Sequence, residues 1–213
     1  MRFSTFVESV VKIKYLELTG ATSHAKMSPP YRLELLKQTK SKAKNAKVAG
    51  VLALFYPNAK NETCLALILR KSYKGVHSAQ VGFPGGKYEE EDYDLEITAL
   101  RETKEEIGVL ESKVEILKKL SLLYIPPSNF MVHPYFGISR ETPNFIKQEE
   151  EVEDILEVTL QDFLKSESVI QTKVPTSYGV EVEVPSFYLN EHIVWGATAM
   201  VLGEIKDLLK QLL

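Results

Sequence analysis

Three glutamates, Glu102, Glu105 and Glu106, stand close together in the run Arg101-Glu102-Thr103-Lys104-Glu105-Glu106-Ile107-Gly108. On a helix, Glu105 and Glu106 lie at i+3 and i+4 from Glu102, so all three share one side. Like charges at that spacing cost an isolated helix roughly 0.2–0.5 kcal/mol. A hard divalent cation turns that repulsion into a binding site, because such ions take carboxylate oxygens. The pattern predicts a metal-dependent enzyme that acts on a phosphorylated compound. Arg101 is one turn from Glu105, where an i,i+4 ion pair forms. Upstream, Pro84-Gly85-Gly86 supplies a turn whose glycines let the main chain approach a ligand or metal closely. Arg70 is the candidate to grip a phosphate through its two-pronged guanidinium. Lys71, Lys74 and Lys87 flank the same loop and read as surface charges.

These residues need elements to hold them. Residues 95–107 predict a helix with Leu95, Ala99, Leu100, Thr103 and Ile107 inward and Gly108 as its C-terminal stop. Val48–Tyr56 and Thr63–Arg70 predict two strands of an antiparallel hairpin, joined by turn chemistry at residues 57–61. Further strands are expected near 113–124, 131–138, 152–159, 180–189 and 191–194. Residues 2–18 suit an amphipathic helix, and Gly196–Leu213 a long closing one. Residues 19–47 read as an irregular, lysine-rich loop. The expected architecture is α/β, with helices on both faces of a mixed β-sheet. The expected division is an N-terminal helix and basic loop, 1–47, packed on a domain spanning 48–213.

The chain has 213 residues, 44% hydrophobic and 26% charged, which is ordinary globular composition. A net charge of −3 speaks against a nucleic-acid coat or a membrane-surface binder. No apolar run reaches the roughly 18–20 residues that span a bilayer, and the N-terminus lacks a signal-peptide pattern. The single cysteine, Cys64, reads as a buried thiol in a reducing compartment. Together these predict a cytoplasmic enzyme. A homodimer is left open.

The constellation resembles the Nudix hydrolases. Their signature is matched from Gly86 through Arg101, Glu102, Glu105, Glu106 and Gly108 to Val109. The spacer between Gly86 and Arg101 is longer than usual, and Glu91 and Asp92 are the acids nearest its customary glutamate. Other stretches are similar to one branch, the coenzyme A diphosphatases. Arg70, Gln80, Phe83, Pro84, Gly85 and Gly86 match that branch's upstream loop, while Ile68, Gly75 and Ala79 depart from it. Val132–Gly137 and Ile193–Ala199 look like its later strand and the start of its final helix. The resemblance implies the Nudix-type α/β/α sandwich from about Val48 onward.

It also implies roles. Glu102, Glu105 and Glu106 become the principal ligands of Mg²⁺ or Mn²⁺, with the Gly86 carbonyl as an additional one. Arg101 orients a glutamate. Glu151, in the acidic run 149–154, becomes a further ligand or the base. Arg70, Gln80, Gly85 and Gly86 face the substrate. His77 lies in the same loop, as a substrate contact or a surface histidine. His133 reads as a packing residue and Trp195 as a core residue. The implied substrate is a small nucleotide, coenzyme A or an acyl derivative, split to 3′,5′-ADP and 4′-phosphopantetheine. ADP-ribose or a dinucleotide is the alternative within the class. A Nudix-fold module that binds nucleotide without hydrolysis is the alternative outside it.

Overall fold

The computed structural model describes residues 1–72, 79–175 and 181–213. In chain order the elements are α1 (Phe3–Val10), α2 (Gly20–Lys26), α3 (Arg32–Gln38), β1 (Lys47–Pro57), β2 (Thr63–Arg70), β3 (Val81–Gly82), β4 (Gly85–Lys87) and α4 (Leu95–Ile107). There follow β5 (Val114–Lys119), β6 (Leu123–Ile125), β7 (Phe130–Ser139), β8 (Val152–Thr159), α5 (Leu160–Leu164), β9 (Val169–Pro175), β10 (Glu181–Leu189), β11 (His192–Val194) and α6 (Gly196–Leu209).

The sheet is mixed and two-faced. β1 pairs antiparallel with β2 and parallel with β7, and β8 lies along the far edge of β2. Side chains of β1 alternate between the faces, as strand geometry requires. Leu52, Leu54 and Tyr56 join Ala99, Leu100 and Ile107 of α4 in one core. Ala53 and Phe55 join α1 and α6 in the other. Both faces are covered, which explains why β1 and β2 read as nearly continuous apolar runs. The result is an α/β/α sandwich. A small antiparallel sheet, β9-β10-β11, adds Phe187, Leu189 and Val194 to the core beneath α6.

One topological detail builds the site. β1 and β2 pair with each other only over residues 54–57 and 63–66. Beyond that point they separate, and the segment 81–87 enters the gap. β4 pairs with β1 at residues 49–51, and β3 pairs with β2 at residues 68–69. The Leu52 N–H donates to the Pro84 carbonyl at 2.9 Å, closing the wedge. The glycine pair is thus a short strand inside the sheet rather than a plain turn.

Several expectations change. Residues 19–47 are not an irregular loop: α2 and α3 occupy much of them, and a 3₁₀ turn spans Lys42–Asn45. Tertiary contact explains α2, because its Ser23 and His24 are anchored on α6 by Asp207 and Glu204. The strand expected at 113–124 is two, β5 and β6, and both lie against β7. β9 was not expected; it exists by pairing with β10. Trp195 is half-buried at the start of α6 rather than in the core. The closing helix ends at Leu209, with a turn after it.

Candidate active site

α4 carries the glutamates, and its sequence specifies both its ends. The Asp94 side chain accepts from the Glu96 and Ile97 N–H groups at 2.9 Å each, an N-cap. Gly108 ends the helix in the left-handed conformation at φ 78°. The helix lies tightly on the sheet at Gly50, where any Cβ would overlap the Leu95 carbonyl. A glycine inside a strand often marks such a close approach.

The inward face of α4 holds a surprise. Thr98, Ala99, Thr103 and Ile107 are buried as a helix stripe should be, and so is Glu106, with its side chain 2% exposed. Its carboxylate accepts from Arg70 Nη1 at 3.0 Å and from the Gly85 N–H at 2.8 Å. Burial nonetheless pushes its pKa up to about 7, against the opposing pull of Arg70 and the Gly85 N–H. The charges of Glu102 and Glu151 add to the rise. Glu102 is raised too, first by burial, with smaller contributions from Glu105 and Glu151. The carboxylates feel one another, and the site is short of positive charge.

Arg101 organises the outer side. Its Nε and Nη2 grip both oxygens of Asp92 at 2.8 and 3.0 Å. Its Nη1 reaches Glu102 at 3.1 Å and Glu105 at 3.2 Å. Nη2 also donates to the Lys87 carbonyl at 3.2 Å, tying α4 to β4. Asp92 is buried and also accepts from Thr98 Oγ1 at 2.8 Å. The hydrogen bond from Arg101 is the main reason its pKa falls to about 2. Of the two acids near the spacer's customary glutamate, Asp92 is therefore the one that meets Arg101.

Arg70, Gly85, Gly86, Lys87, Glu89, Arg101, Glu102, Glu105, Glu106, Gln148 and Glu151 line one cavity of about 290 Å³. Expected residues from a helix, two strands and the acidic run meet there. Arg70 faces the cavity but already holds Glu106 and the Gly85 carbonyl, the latter at 2.9 Å. It is thus a brace for the acid cluster as well as a candidate phosphate contact. The Gln80 backbone carbonyl accepts from the Arg70 N–H at 3.0 Å, which places Gln80 beside the site but not in its wall. Glu151 is held by its own backbone: its N–H donates to Gln148 Oε1 at 2.7 Å and its carbonyl accepts from Lys71 N–H at 2.9 Å. His77 lies outside the described residues, as do Lys74 and Gly75. His133 is on β7, half-buried and away from this cavity.

The donor set fits a hard divalent ion. All its side-chain donors are carboxylate oxygens, the ligands Mg²⁺ and Mn²⁺ prefer. A Cβ on Gly86 would overlap the Glu102 carboxylate, so only glycine leaves room for that carboxylate over the β4 backbone. Among the described residues, no three acidic or histidine side chains are already gathered around a single point. Each signature glutamate is paired with a guanidinium instead, Glu106 with Arg70 and the other two with Arg101.

A second cavity of about 260 Å³ adjoins the first, sharing Arg70, Gly85, Gly86 and Lys87 with it. Its wall is largely apolar, with Phe83, Leu123, Phe130, Val132 and Val201. Sequence reasoning missed it because its wall is drawn from β1, β4, β6, β7 and α6, which no local pattern links. The role of Gly50 was also missed, although an isolated glycine within an apolar strand was the available signal.

The NUDIX domain model matches residues 45–176. The chain is 33% identical over 144 residues to an uncharacterized Nudix hydrolase, NudL, from Yersinia enterocolitica, covering 68% of this chain and 73% of that one. It is 29% identical to NudL of Photorhabdus laumondii, over 82% and 91% of the two chains. Among solved structures, RenU, a Nudix hydrolase from M. smegmatis, is similar with a TM-score of 0.53 at 11% identity, over 79% of this chain and 88% of that one. A MutT/nudix family protein from Enterococcus faecalis gives 0.52 at 17% identity, over 78% and 62%. At these identities the structures show a shared fold. The family match spans more than half of the residues, and the chain therefore belongs to the Nudix hydrolases, enzymes that act on pyrophosphate bonds.

Proposed function

We propose that this Nudix hydrolase splits the diphosphate of coenzyme A or its acyl derivatives, releasing 3′,5′-ADP and the (acyl-)4′-phosphopantetheine. The observation that carries the reading is the pair of adjoining cavities. One is lined by carboxylates and guanidinia, the other largely by apolar side chains, and β4 runs between them. A molecule with a diphosphate at its centre and a bulky organic arm on each side suits that shape. The resemblance of the loop around Gln80 and Phe83–Gly86 to the coenzyme A branch supports the choice of arm.

Nudix hydrolases generally use divalent metal ions, and Glu102, Glu105, Glu106 and the Gly86 carbonyl would hold Mg²⁺ or Mn²⁺ here. When bound, such an ion neutralises the diphosphate oxygens and lowers the pKa of water. The chain's own groups do the rest. Arg70 and Lys87 line both cavities, and their cationic groups would meet the diphosphate at the junction. Arg101, clamped on Asp92, fixes Glu102 and Glu105 in place. Glu151, from the acidic run outside the helix, takes the proton from the attacking water. Attack at phosphorus by water needs no covalent enzyme intermediate.

The test is a panel of coenzyme A, acetyl coenzyme A, ADP-ribose and a dinucleoside polyphosphate, each with Mg²⁺ and with Mn²⁺. Coenzyme A compounds should show the highest kcat/KM. Turnover of ADP-ribose or the dinucleotide without coenzyme A would reject this substrate and keep the reaction. No turnover of any compound would favour a binding module, which the complete set of signature glutamates speaks against.

A further inference from the structure

Residues 146–148 run along the C-terminal end of α4 and are fastened there by the main chain. The Ile146 N–H donates to the Ile107 carbonyl at 3.1 Å, and the Gln148 N–H to the Glu106 carbonyl at 3.0 Å. Both carbonyls lie in the last turn of the helix, where no intrahelical partner exists. The approach is close, since a Cβ on Gly108 would overlap Ile146. The segment is therefore attached to the element that carries Glu102, Glu105 and Glu106.

The side chain of Gln148 connects to the residues that follow. Its Oε1 accepts from the Glu150 N–H at 2.8 Å and from the Glu151 N–H at 2.7 Å. Both partners are donors, so the amide oxygen is the atom directed at them. Asp94 makes the same bonds, to the N–H groups two and three residues on, at the start of α4. The Gln148 carbonyl also accepts from the Val152 N–H at 3.0 Å and the Glu151 N–H at 3.3 Å, so the turn keeps main-chain bonds of its own. Gln148 and Glu151 both line the cavity that holds the signature glutamates. All residues of the run 149–154 except Val152 are acidic. Like charges so close together push such a turn open, and an oxygen that holds two of its N–H groups opposes this.

We propose that Gln148 is a positioning residue for the hydrolysis, fixing the Glu151 carboxylate relative to the glutamates of α4. Its main chain is bonded to the helix and its side chain to the backbone of Glu151. One residue thus sets the spacing between the ion-binding carboxylates and the group that takes the proton. The inference rests on the reading of Glu151 as the base. A base must lie within hydrogen-bond reach of the proton it takes, and a misplacement of about 1 Å can lower a rate on the order of 10²-fold.

The test measures steady-state kcat and KM at saturating Mg²⁺, with the diphosphate that the wild type cleaves fastest. The proteins are the wild type, Gln148→Met, Gln148→Ala, Gln148→Asn, Glu151→Gln and the double variant of Gln148→Met with Glu151→Gln. Thermal denaturation reports that each is folded. In Gln148→Met and Gln148→Ala, kcat should fall about tenfold or more while KM stays within about twofold. Gln148→Asn keeps an amide oxygen of the kind that caps such turns, and its kcat should return to within about threefold of the wild type. In the Glu151→Gln background, Gln148→Met should lower kcat by less than about twofold, because the side chain acts through Glu151. Unchanged kcat in both Gln148→Met and Gln148→Ala, with Glu151→Gln slow, would overturn the positioning role and leave Glu151 as the base. Equal losses from Gln148→Met with and without Glu151→Gln would also overturn it. An unchanged kcat in Glu151→Gln would remove the base and this inference together.

Discussion

Glu106 is the residue most at odds with its surroundings. It is a carboxylate buried on the sheet side of a helix, with one arginine and one N–H to hold its charge. Its folded pKa of about 7 lies above the ordinary carboxylate value of 4.5, so the fold binds a proton that the unfolded chain has released. Stability from this group is present below about pH 4.5 and falls as the pH rises to about 7. In chelator, the melting temperature of the wild type should therefore drop relative to Glu106→Gln between pH 5 and pH 7.5. Mg²⁺ or Mn²⁺ should recover the loss at the upper end, because an ion that binds only the fold stabilises it; parallel melting curves for the two proteins would reject this account. Asp92 has the opposite sign. Its folded pKa of about 2 lies below the ordinary 3.8, so its contribution is complete above about pH 4 and disappears as the pH falls to about 2. Asp92→Ala removes the two-pronged partner of a largely buried arginine that keeps Glu102 and Glu105, and should cost about 3 kcal/mol in urea unfolding at pH 7. Its kcat should fall as well, since Arg101 would no longer be fixed beside Glu102 and Glu105. At this scale the sequence was informative about the acids on α4, whose spacing is local. It left Glu91 and Asp92 undecided, because only the folded loop shows which of them turns inward to Arg101.

The elements act through how closely they meet. α4 rests on β1 at Gly50, and β4 lies beneath Glu102 at Gly86. Gly50→Ala drives a methyl group into the Leu95 carbonyl and the Ala99 amide, and should cost about 1–3 kcal/mol in stability. Gly86→Ala should act differently: the atom it meets is a carboxylate at the end of a side chain, so Glu102 moves and activity falls well before the fold does. Comparing urea midpoints with kcat for the two variants checks this; equal losses of stability would contradict it. The hairpin of β1 and β2 and the helix α4 were legible, because apolar runs, turn residues and a C-terminal glycine are local signals. β3 and β4 were not. A strand of two or three residues has no period to read, and these exist only because β1 and β2 separate and leave unpaired edges between them. α2 was hidden for a related reason: its helix is secured by Glu204 and Asp207, far away in the chain.

At the scale of the whole molecule, the segment before residue 45 is part of the core and not a loose extension. Phe6 is fully buried, with its ring 5.3 Å from that of Phe55 on β1, and Phe55 in turn stacks on Phe136 of β7 at 4.7 Å. Phe6→Ala should cost about 3–5 kcal/mol in denaturant unfolding, a loss much larger than a detachable arm would show. The same side of the sheet carries α6 and the apolar cavity. The opposite side carries α4 and the acid cluster, and β4 brings the two together within the sheet. The acid cluster and the apolar cavity thus lie in different layers of the sandwich, and the cluster was legible in the sequence because it lies on one helix. The central claim is that the α4 carboxylates and a divalent ion hydrolyse a diphosphate. Glu105 tests it most directly: its side chain is 57% exposed, so Glu105→Gln leaves packing intact. The measurement is steady-state kcat for diphosphate hydrolysis at saturating Mg²⁺ in wild type and Glu105→Gln. A fall of at least about 10²–10³ is predicted, and an unchanged kcat would contradict the account.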